Sequence, residues 1–376
     1  MGGNSMLSID KTMRAYIAAA AMIVSIVASA DAAELRYNIF DRPGSAPVTN
    51  LQQFFEALKK ETGGSITAKM FIGGQLLNAR ATLKGISDGV VGGGWVVPSL
   101  NQGELKHLNV IPDLLPFVED PWVAAMAGAT TAVLNCKECR ADAAAAGVVW
   151  LGGIGPDPWH LMCREPVTKA SDLKGRKVRV TGASPTRLIR ALGAVPVQLA
   201  PNEIPTAMQG GQIDCTCGPK AWLHDFSLAE MVKTVVAEPF GVYGGLGGWV
   251  FNKRVYERFS AAEKKALLKL IPEFLVRGTA DYQKVADDAS ADAKAKGVKF
   301  WTPDAAFRKT VADFRNSEID NLVADMTKRG VKDPKKLIQI HLKNLETWKA
   351  KLAKIGSDRA KLIEMLRNDV YAHVIK

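Results

Sequence analysis

Alternating runs and amphipathic stripes succeed one another along the chain. Glu34 to Phe40 alternates as a strand and runs into a turn at Arg42-Pro43-Gly44. Leu51, Phe54, Phe55 and Leu58 then recur at i, i+3, i+4 and i+7, the stripe of a helix that Thr49 or Asn50 would cap and Gly63 would close. Ile66 to Phe71 reads as a strand and Ala79 to Ser87 as a short helix. Val90 to Val97 is a further strand, loosened by Gly92-Gly93-Gly94. Further on, Lys177 to Val180 is a strand. Ser184 is placed to cap a helix with Pro185 in its first turn and Leu188, Ile189 and Leu192 on its apolar face. Val195 to Leu199 is the next strand, a helix starts at Asn202, and a strand begins at Asp214. Strand–helix alternation of this kind predicts an α/β protein.

The two stretches share an ending. Gly85-Ile86-Ser87-Asp88 and Gly211-Gln212-Ile213-Asp214 are both G-x-x-D before a strand, which predicts two lobes built alike. The chain is expected to cross between lobes near Gly152 to Pro158 and to return near Gly241 to Gly248. Glycines in both segments suit either hinges or tight turns. Beyond Val250 the pattern turns helical. Ser260-Ala261-Ala262-Glu263 forms a capping box, helices end near Pro272, Lys296, Arg329, Lys354 and Lys376, and one strand spans Val298 to Trp301.

Length and composition fit this picture. The chain has 376 residues, 47% of them hydrophobic and 23% charged, enough for a large core without a metal or disulfide staple. Lys11 and Arg14 precede an apolar run from Tyr16 to Ala28. Ala28-Ser29-Ala30 and Ala30-Asp31-Ala32 follow as small-x-small cleavage sites, so residues 1–32 read as a secretory signal peptide. A soluble exported protein is expected. The formal net charge of +11 is spread along helices and mixed with acids, with no basic–aromatic motif, which argues against a nucleic-acid partner and suits anionic ligands.

Candidate chemistry is sparse. Cys136 and Cys139 form C-x-x-C, Cys215 and Cys217 form C-x-C, and Cys163 stands apart. The C-x-x-C pair follows a helical stretch ending near Leu134-Asn135, where a local structural disulfide or buried thiols are expected and a thioredoxin-like site is not. An exported thiol oxidoreductase stays as the enzymatic alternative. No zinc-site spacing, nucleophile elbow, P-loop or dinucleotide fingerprint is present, and the five histidines at 107, 160, 224, 341 and 373 are scattered. Neither a cofactor nor a metal is expected. The densest constellation is Lys174 to Pro185. Arg179 lies near the C-terminal end of its strand, where ligands bind in open α/β sheets, and the next loop leads into a helix N-terminus. Two readings stand for Arg179 at this point: a bidentate carboxylate partner or one half of a surface salt bridge.

The segment Asp172-Leu173-Lys174-Gly175-Arg176-Lys177-Val178-Arg179-Val180, followed by Ala191-Leu192-Gly193-Ala194-Val195-Pro196-Val197 and by Asn202 to Asp214, resembles the solute-binding proteins of TRAP (tripartite ATP-independent periplasmic) transporters. Thr62 to Ile66, Phe71 to Leu76 and Trp249 to Lys253 extend the resemblance over nearly the whole chain after residue 32. It implies a two-lobed periplasmic binding fold with a hinge, a central ligand cleft and a helical C-terminal region. The lobes would span residues 33–157 and 158–243, with 244–376 as a return segment packing on both. It implies an organic-acid ligand, a pair of transporter membrane subunits as partner, no catalysis, and Arg179 as the arginine that meets the ligand carboxylate. Where some sugar-acid binders have a second arginine this chain has Trp159, beside His160. Where they have a polar residue after the G-x-x-D strand it has Cys217-Gly218-Pro219. A monocarboxylate with an apolar or aromatic body is therefore the expected ligand, with Trp159, Trp95, Trp222, Phe40 and Gly218 around it.

Overall fold

The computed structural model describes residues 34–356 and 358–374. The expected signal peptide lies outside the described residues. Two mixed sheets organise the protein. β1 (Leu35–Ile39), β2 (Ala68–Ile72), β3 (Gly93–Val96) and β4 (Val148–Trp150) belong to the first sheet. β5 (Trp159–Cys163), β6 (Lys177–Val180), β7 (Val195–Gln198), β8 (Cys215–Pro219) and β9 (Thr234–Val236) belong to the second. β10 (Gly247–Asn252) returns to the first sheet and β11 (Lys299–Trp301) to the second. The first sheet has the order β2-β1-β3-β10-β4 and the second β11-β9-β5-β8-β6-β7. β1 pairs parallel with β2 and β3, and β6 pairs parallel with β7 and β8, whereas β10 and β5 are antiparallel to both their neighbours. Each lobe is thus a parallel α/β unit completed by an antiparallel strand from a crossing segment.

Local chemistry sets most element ends, at times by a route other than the one read from the sequence. The first helix, Ala46–Glu61, begins a turn earlier than Thr49 or Asn50 would place it, because Pro47 fits the first helical turn. Asn50 is buried instead and donates to the Phe274 carbonyl at 3.1 Å. Ser260 and Glu263 make the expected reciprocal cap at 3.2 and 2.7 Å. The helix they open does not stop at Pro272 but runs unbroken from Ala261 to Ala295. A proline there removes one hydrogen bond. Burial continues on both sides of it, from Leu267 to Ala280, and packing against Ala46–Glu61 holds the helix together.

Edge-to-face aromatic contacts mark the centre of this packing. Phe54 meets Phe55, Trp249 and Phe274 at centroid distances of 5.3, 5.6 and 5.4 Å. One large core joins both lobes and the C-terminal helices. A smaller one, with Met162, Ile204, Met208, Leu223 and Val235, fills the far face of the second sheet.

Two disulfides are present. Cys136 is bonded to Cys139, one of the two expectations for that pair. Cys163 is bonded to Cys215, which face each other across β5 and β8. Cys217 is a buried free thiol. Among the described residues no helix is long and apolar enough to cross a membrane, and no cluster of three His, Cys, Asp or Glu side chains is placed to hold a metal.

Candidate functional site

The two segments between the sheets, 151–158 and 237–246, border a small cavity of about 40 Å³ between the closed lobes. Its walls come from every part of the fold: Phe40, Asp41, Pro47 and Trp95 from the first lobe, Trp159, Thr181, Pro219 and Trp222 from the second, Tyr243 and Leu246 from the return segment, and Tyr282 from the long helix. Of the residues picked from sequence, Phe40, Trp95, Trp159 and Trp222 line the cavity directly. Arg179 and Gly218 stand one layer behind.

Arg179 is the next-to-last residue of β6 and is fully buried. That rules out the surface salt bridge. Its Nε donates to the Leu199 carbonyl at 2.9 Å and its Nη1 to the Cys217 carbonyl at 3.2 Å, while Nη2 has no partner. The guanidinium lies over the Trp222 ring, 5.1 Å from the centroid. Burial pulls its pKa down to about 10, against smaller opposing influences of Cys217, Tyr243 and Glu203. At neutral pH it stays charged, fixed by two carbonyls and short of an anion. A buried charge held this way attracts a carboxylate strongly, since the desolvation cost is already met by the fold.

The helix N-terminus beyond β6 does not share in that role. The helix starts at Ala183 behind Gly182, whose φ is +91°, so Ser184 lies inside the first turn and is not its cap. The Ala183 N–H donates to Asp113 Oδ1 at 3.1 Å, and Asp113 Oδ2 accepts from Arg329 at 2.9 Å. A protein carboxylate already occupies the end of the dipole where an anionic ligand was expected.

Glycine and aspartate fix the aromatic wall. A Cβ on Gly218 would lie 2.1 Å from Trp222 Cζ3, so the indole rests directly on the β8 backbone. The turn before Trp222 is anchored by buried Asp157, which accepts from Lys220 N at 2.7 Å and Ala221 N at 3.3 Å. Trp159 stacks on Tyr243, with centroids 5.1 Å apart and planes 8° apart, and meets Trp222 at 6.2 Å. Tyr243 is held in turn by the Ser99 hydroxyl and by Ser99 N at 3.3 Å. His160, next to Trp159, points away to the Val236 carbonyl at 2.9 Å, and burial keeps it neutral with a pKa near 4.

Sequence reasoning missed Asp41, Tyr243 and Tyr282. Asp41 follows Phe40 at the carboxyl end of β1, the same kind of position that singled out Arg179, and that signal was legible. Tyr243 was hidden among glycines read as a hinge or as tight turns. Tyr282 sits on a helix whose stripe carries no mark of a cavity.

A family profile described as "Bacterial extracellular solute-binding protein, family 7" (DctP) matches residues 40–354. Among curated proteins, the chain is 26% identical over 172 residues to the outer membrane transporter protein TsaT of Comamonas testosteroni, covering 44% of this chain. It is also 26% identical over 200 residues to a solute-binding protein of Sulfitobacter sp. strain NAS-14.1, covering 52% of this chain. The matches span 49% and 59% of those relatives' own lengths. Solved structures align over more of the chain. A TRAP solute-binding protein of Rhodoferax ferrireducens T118 in complex with copurified benzoate has a TM-score of 0.73 at 20% identity, covering 85% of this chain and 99% of that one. An extracytoplasmic solute receptor of Bordetella pertussis binding pyroglutamic acid has a TM-score of 0.71 at 21% identity, covering 82% and 99%. Identities this low speak for the two-lobed fold; the profile match speaks for descent. The chain belongs to family 7 of the bacterial extracellular solute-binding proteins.

Proposed function

We propose that this protein is a periplasmic solute-binding protein that captures a small organic acid between its lobes for uptake by a TRAP-type secondary transporter. The observation that carries the reading is Arg179: a fully buried guanidinium with an unpartnered Nη2, beside a cavity lined by Trp95, Trp159, Trp222 and Tyr243. The cation selects a carboxylate, and the aromatic wall selects an apolar or aromatic body with few hydroxyls. Benzoate and pyroglutamate, carried by two of the structural neighbours, are small monocarboxylates of this kind. The expected export signal in residues 1–32 and the expected lobes at 33–157 and 158–243 belong to the same reading.

The lobes exchange between open and closed forms, and a bridging ligand favours closure. Contacts between the lobes surround the cavity: Arg42 Nη1 donates to Ser227 Oγ at 2.6 Å, and Arg80 approaches Glu203 at 3.9 Å. The Arg80–Glu203 pair is exposed and weak and the half-buried Arg42–Ser227 contact is a single hydrogen bond, so ligand contacts inside the cavity decide the balance.

The enzymatic alternative rests on Cys136 and Cys139. The pair sits at the start of the helix Lys137–Ala145, where Cys136 Sγ accepts from the Cys139 N–H at 2.9 Å, but both sulfurs are buried, which closes the bond to an attacking thiolate. A binding role without turnover is the better-supported reading. A thermal-shift screen of the chain lacking residues 1–32 against organic acids tests it. Ligand at a hundred times its Kd raises stability by about 2.7 kcal/mol. A raised melting temperature with carboxylates supports the proposal; none across a broad acid panel would remove it.

A further inference from the structure

Resting on that reading of the cleft, we infer that the ligand carries an ammonium group as well as its carboxylate, and that Asp41, backed by Asp225, receives it. Asp41 leaves β1 at its carboxyl end and lines the cavity, yet it is only 4% exposed. Its Oδ2 has no hydrogen-bond partner. Asp225 comes from the other lobe, three residues after Trp222. It is 1% exposed, accepts from His224 Nδ1 at 3.0 Å through Oδ1, and also leaves Oδ2 unpartnered. Two buried carboxyls from opposite lobes therefore each hold an empty acceptor.

Such a pair is costly unless a donor, and best a cation, is placed against it. The charged group on the rim is Arg42, which gives Nη1 to Ser227 and Nη2 to the His224 carbonyl and keeps Nε unpartnered. His224 and Arg42 both favour the Asp225 carboxylate, and burial outweighs them. Tyr282, from the long helix, also lines the cavity and stands in the field of Asp225, Asp41 and Asp157. Asp41 and Asp225 are not among the titratable neighbours that act on Arg179, which are Cys217, Tyr243, Glu203 and Arg80. Asp41 lines the cavity with a free acceptor, and Asp225 and Arg179 stand behind its walls with a free acceptor and a free donor, together the complement of a zwitterion. A neutral hydroxyl would satisfy one acceptor and add no charge against the buried acids. An ammonium supplies both, in a charge-assisted bond roughly twice as strong as a neutral one.

Burial, with the charge of Asp225, pushes the Asp41 pKa up to about 8. The unliganded site accordingly holds a proton on Asp41 at pH 7. Binding exchanges it: the carboxylic acid of Asp41 meets the ligand ammonium, the O–H proton leaves to solvent, and the carboxylate–ammonium pair remains. Plain carboxylates bind at Arg179 without that exchange.

The test is isothermal titration at pH 7 with two matched pairs, 4-aminobutyrate against butyrate and phenylalanine against 3-phenylpropionate, in phosphate and in Tris. In at least one pair the ammonium-bearing acid binds tenfold or more tightly than its partner. Its heat differs between the buffers by the ionisation of close to one proton. In Asp41→Asn that preference disappears, and the two acids of the pair bind within a few-fold of each other. Equal or tighter binding of the plain acid in both pairs overturns the inference, as does a preference that survives in Asp41→Asn. If neither pair binds, the acids that raise the melting temperature in the wider panel decide, and hits that all lack an N–H group overturn it. Failure of every acid to bind would instead remove the carboxylate reading of the cleft, and this inference with it.

Discussion

The residues that matter most in the cleft are those whose bonding is incomplete. A buried polar group without a partner costs about 1–3 kcal/mol, more when charged, and native folds keep few of them. Arg179 Nη2 and Asp41 Oδ2 are two such atoms at one cavity. Gly218 shows the complementary economy: it carries no side chain so that Trp222 can lie against β8. Gly218→Ala places a Cβ where the indole is, and the ring must swing away. The variant should unfold with about 1–3 kcal/mol less stability, the usual cost of overpacking, and lose ligand affinity as the Trp222 wall shifts. Denaturant unfolding and titration read the two effects separately; an unchanged midpoint would show that Trp222 yields freely.

Arg179 was legible in the sequence because its strand, its position near the strand end and its basic neighbours are all local features. The aromatic wall was legible only as a set of candidates, since nothing local separates Trp95 from Trp249, a core residue. Asp41 and Tyr282 meet through tertiary packing over more than two hundred residues, and no local pattern reports such a meeting.

At the scale of elements, sequence patterns located most strands and helices and missed ends that depend on distant partners. The G-x-x-D pair is an example. Asp214 clamps the Lys177 N–H at 2.8 Å and Gly211 takes a φ of +71°, whereas Asp88 pairs with exposed Lys84 on its own helix. Equal motifs precede β3 and β8, and only one ties strands together. The pairing of Cys163 with Cys215 was likewise beyond reach, because it requires the antiparallel register of β5 on β8. Loop entropy ranks the two disulfides. Closing 52 residues is worth about 4 kcal/mol and closing three about 2. Replacing both Cys163 and Cys215 by Ala should lower the unfolding free energy by about twice as much as replacing Cys136 and Cys139. Urea denaturation of the two double variants checks the order, and a reversed order would put the anchoring role on the 136–139 bond.

At the scale of the whole molecule, buried titratable groups make stability depend on pH. Burial raises Asp41 from 3.8 to about 8 and Asp157 from 3.8 to about 7, and it lowers His160 and His341 from 6.5 to about 4 and about 3. For the carboxyls the folded state keeps protons that the unfolded chain has released, so stability falls as pH rises from about 4 to the raised pKa. For the histidines the unfolded chain takes up protons that the folded state refuses, so stability falls as pH drops below about 6.5. The two effects oppose each other between about pH 4 and 6.5. Above that only the carboxyls act, and the unliganded protein should lose about 2 kcal/mol per fully coupled carboxyl between about pH 6.5 and 8. Melting curves across that range check this, with Asp41→Asn expected to flatten most of the decline; an equally steep decline in the variant would assign it elsewhere.

Both lobes, the crossing segments and the long helix contribute to one cavity, so on the proposed reading an anion bound at Arg179 would stabilise their joint, closed arrangement. The most direct test is titration of the best carboxylate from the acid screen into the wild-type protein, Arg179→Ala and Arg179→Lys. Loss of a buried hydrogen-bonded charge partner costs about 2–5 kcal/mol, which corresponds to a weakening of roughly thirty-fold to several thousand-fold in Kd. Arg179→Ala should show that loss with an unchanged far-ultraviolet spectrum, and Arg179→Lys should recover only part of it, since an ammonium cannot reproduce the guanidinium fork. Carboxylate binding to Arg179→Ala within a few-fold of wild type would contradict the account.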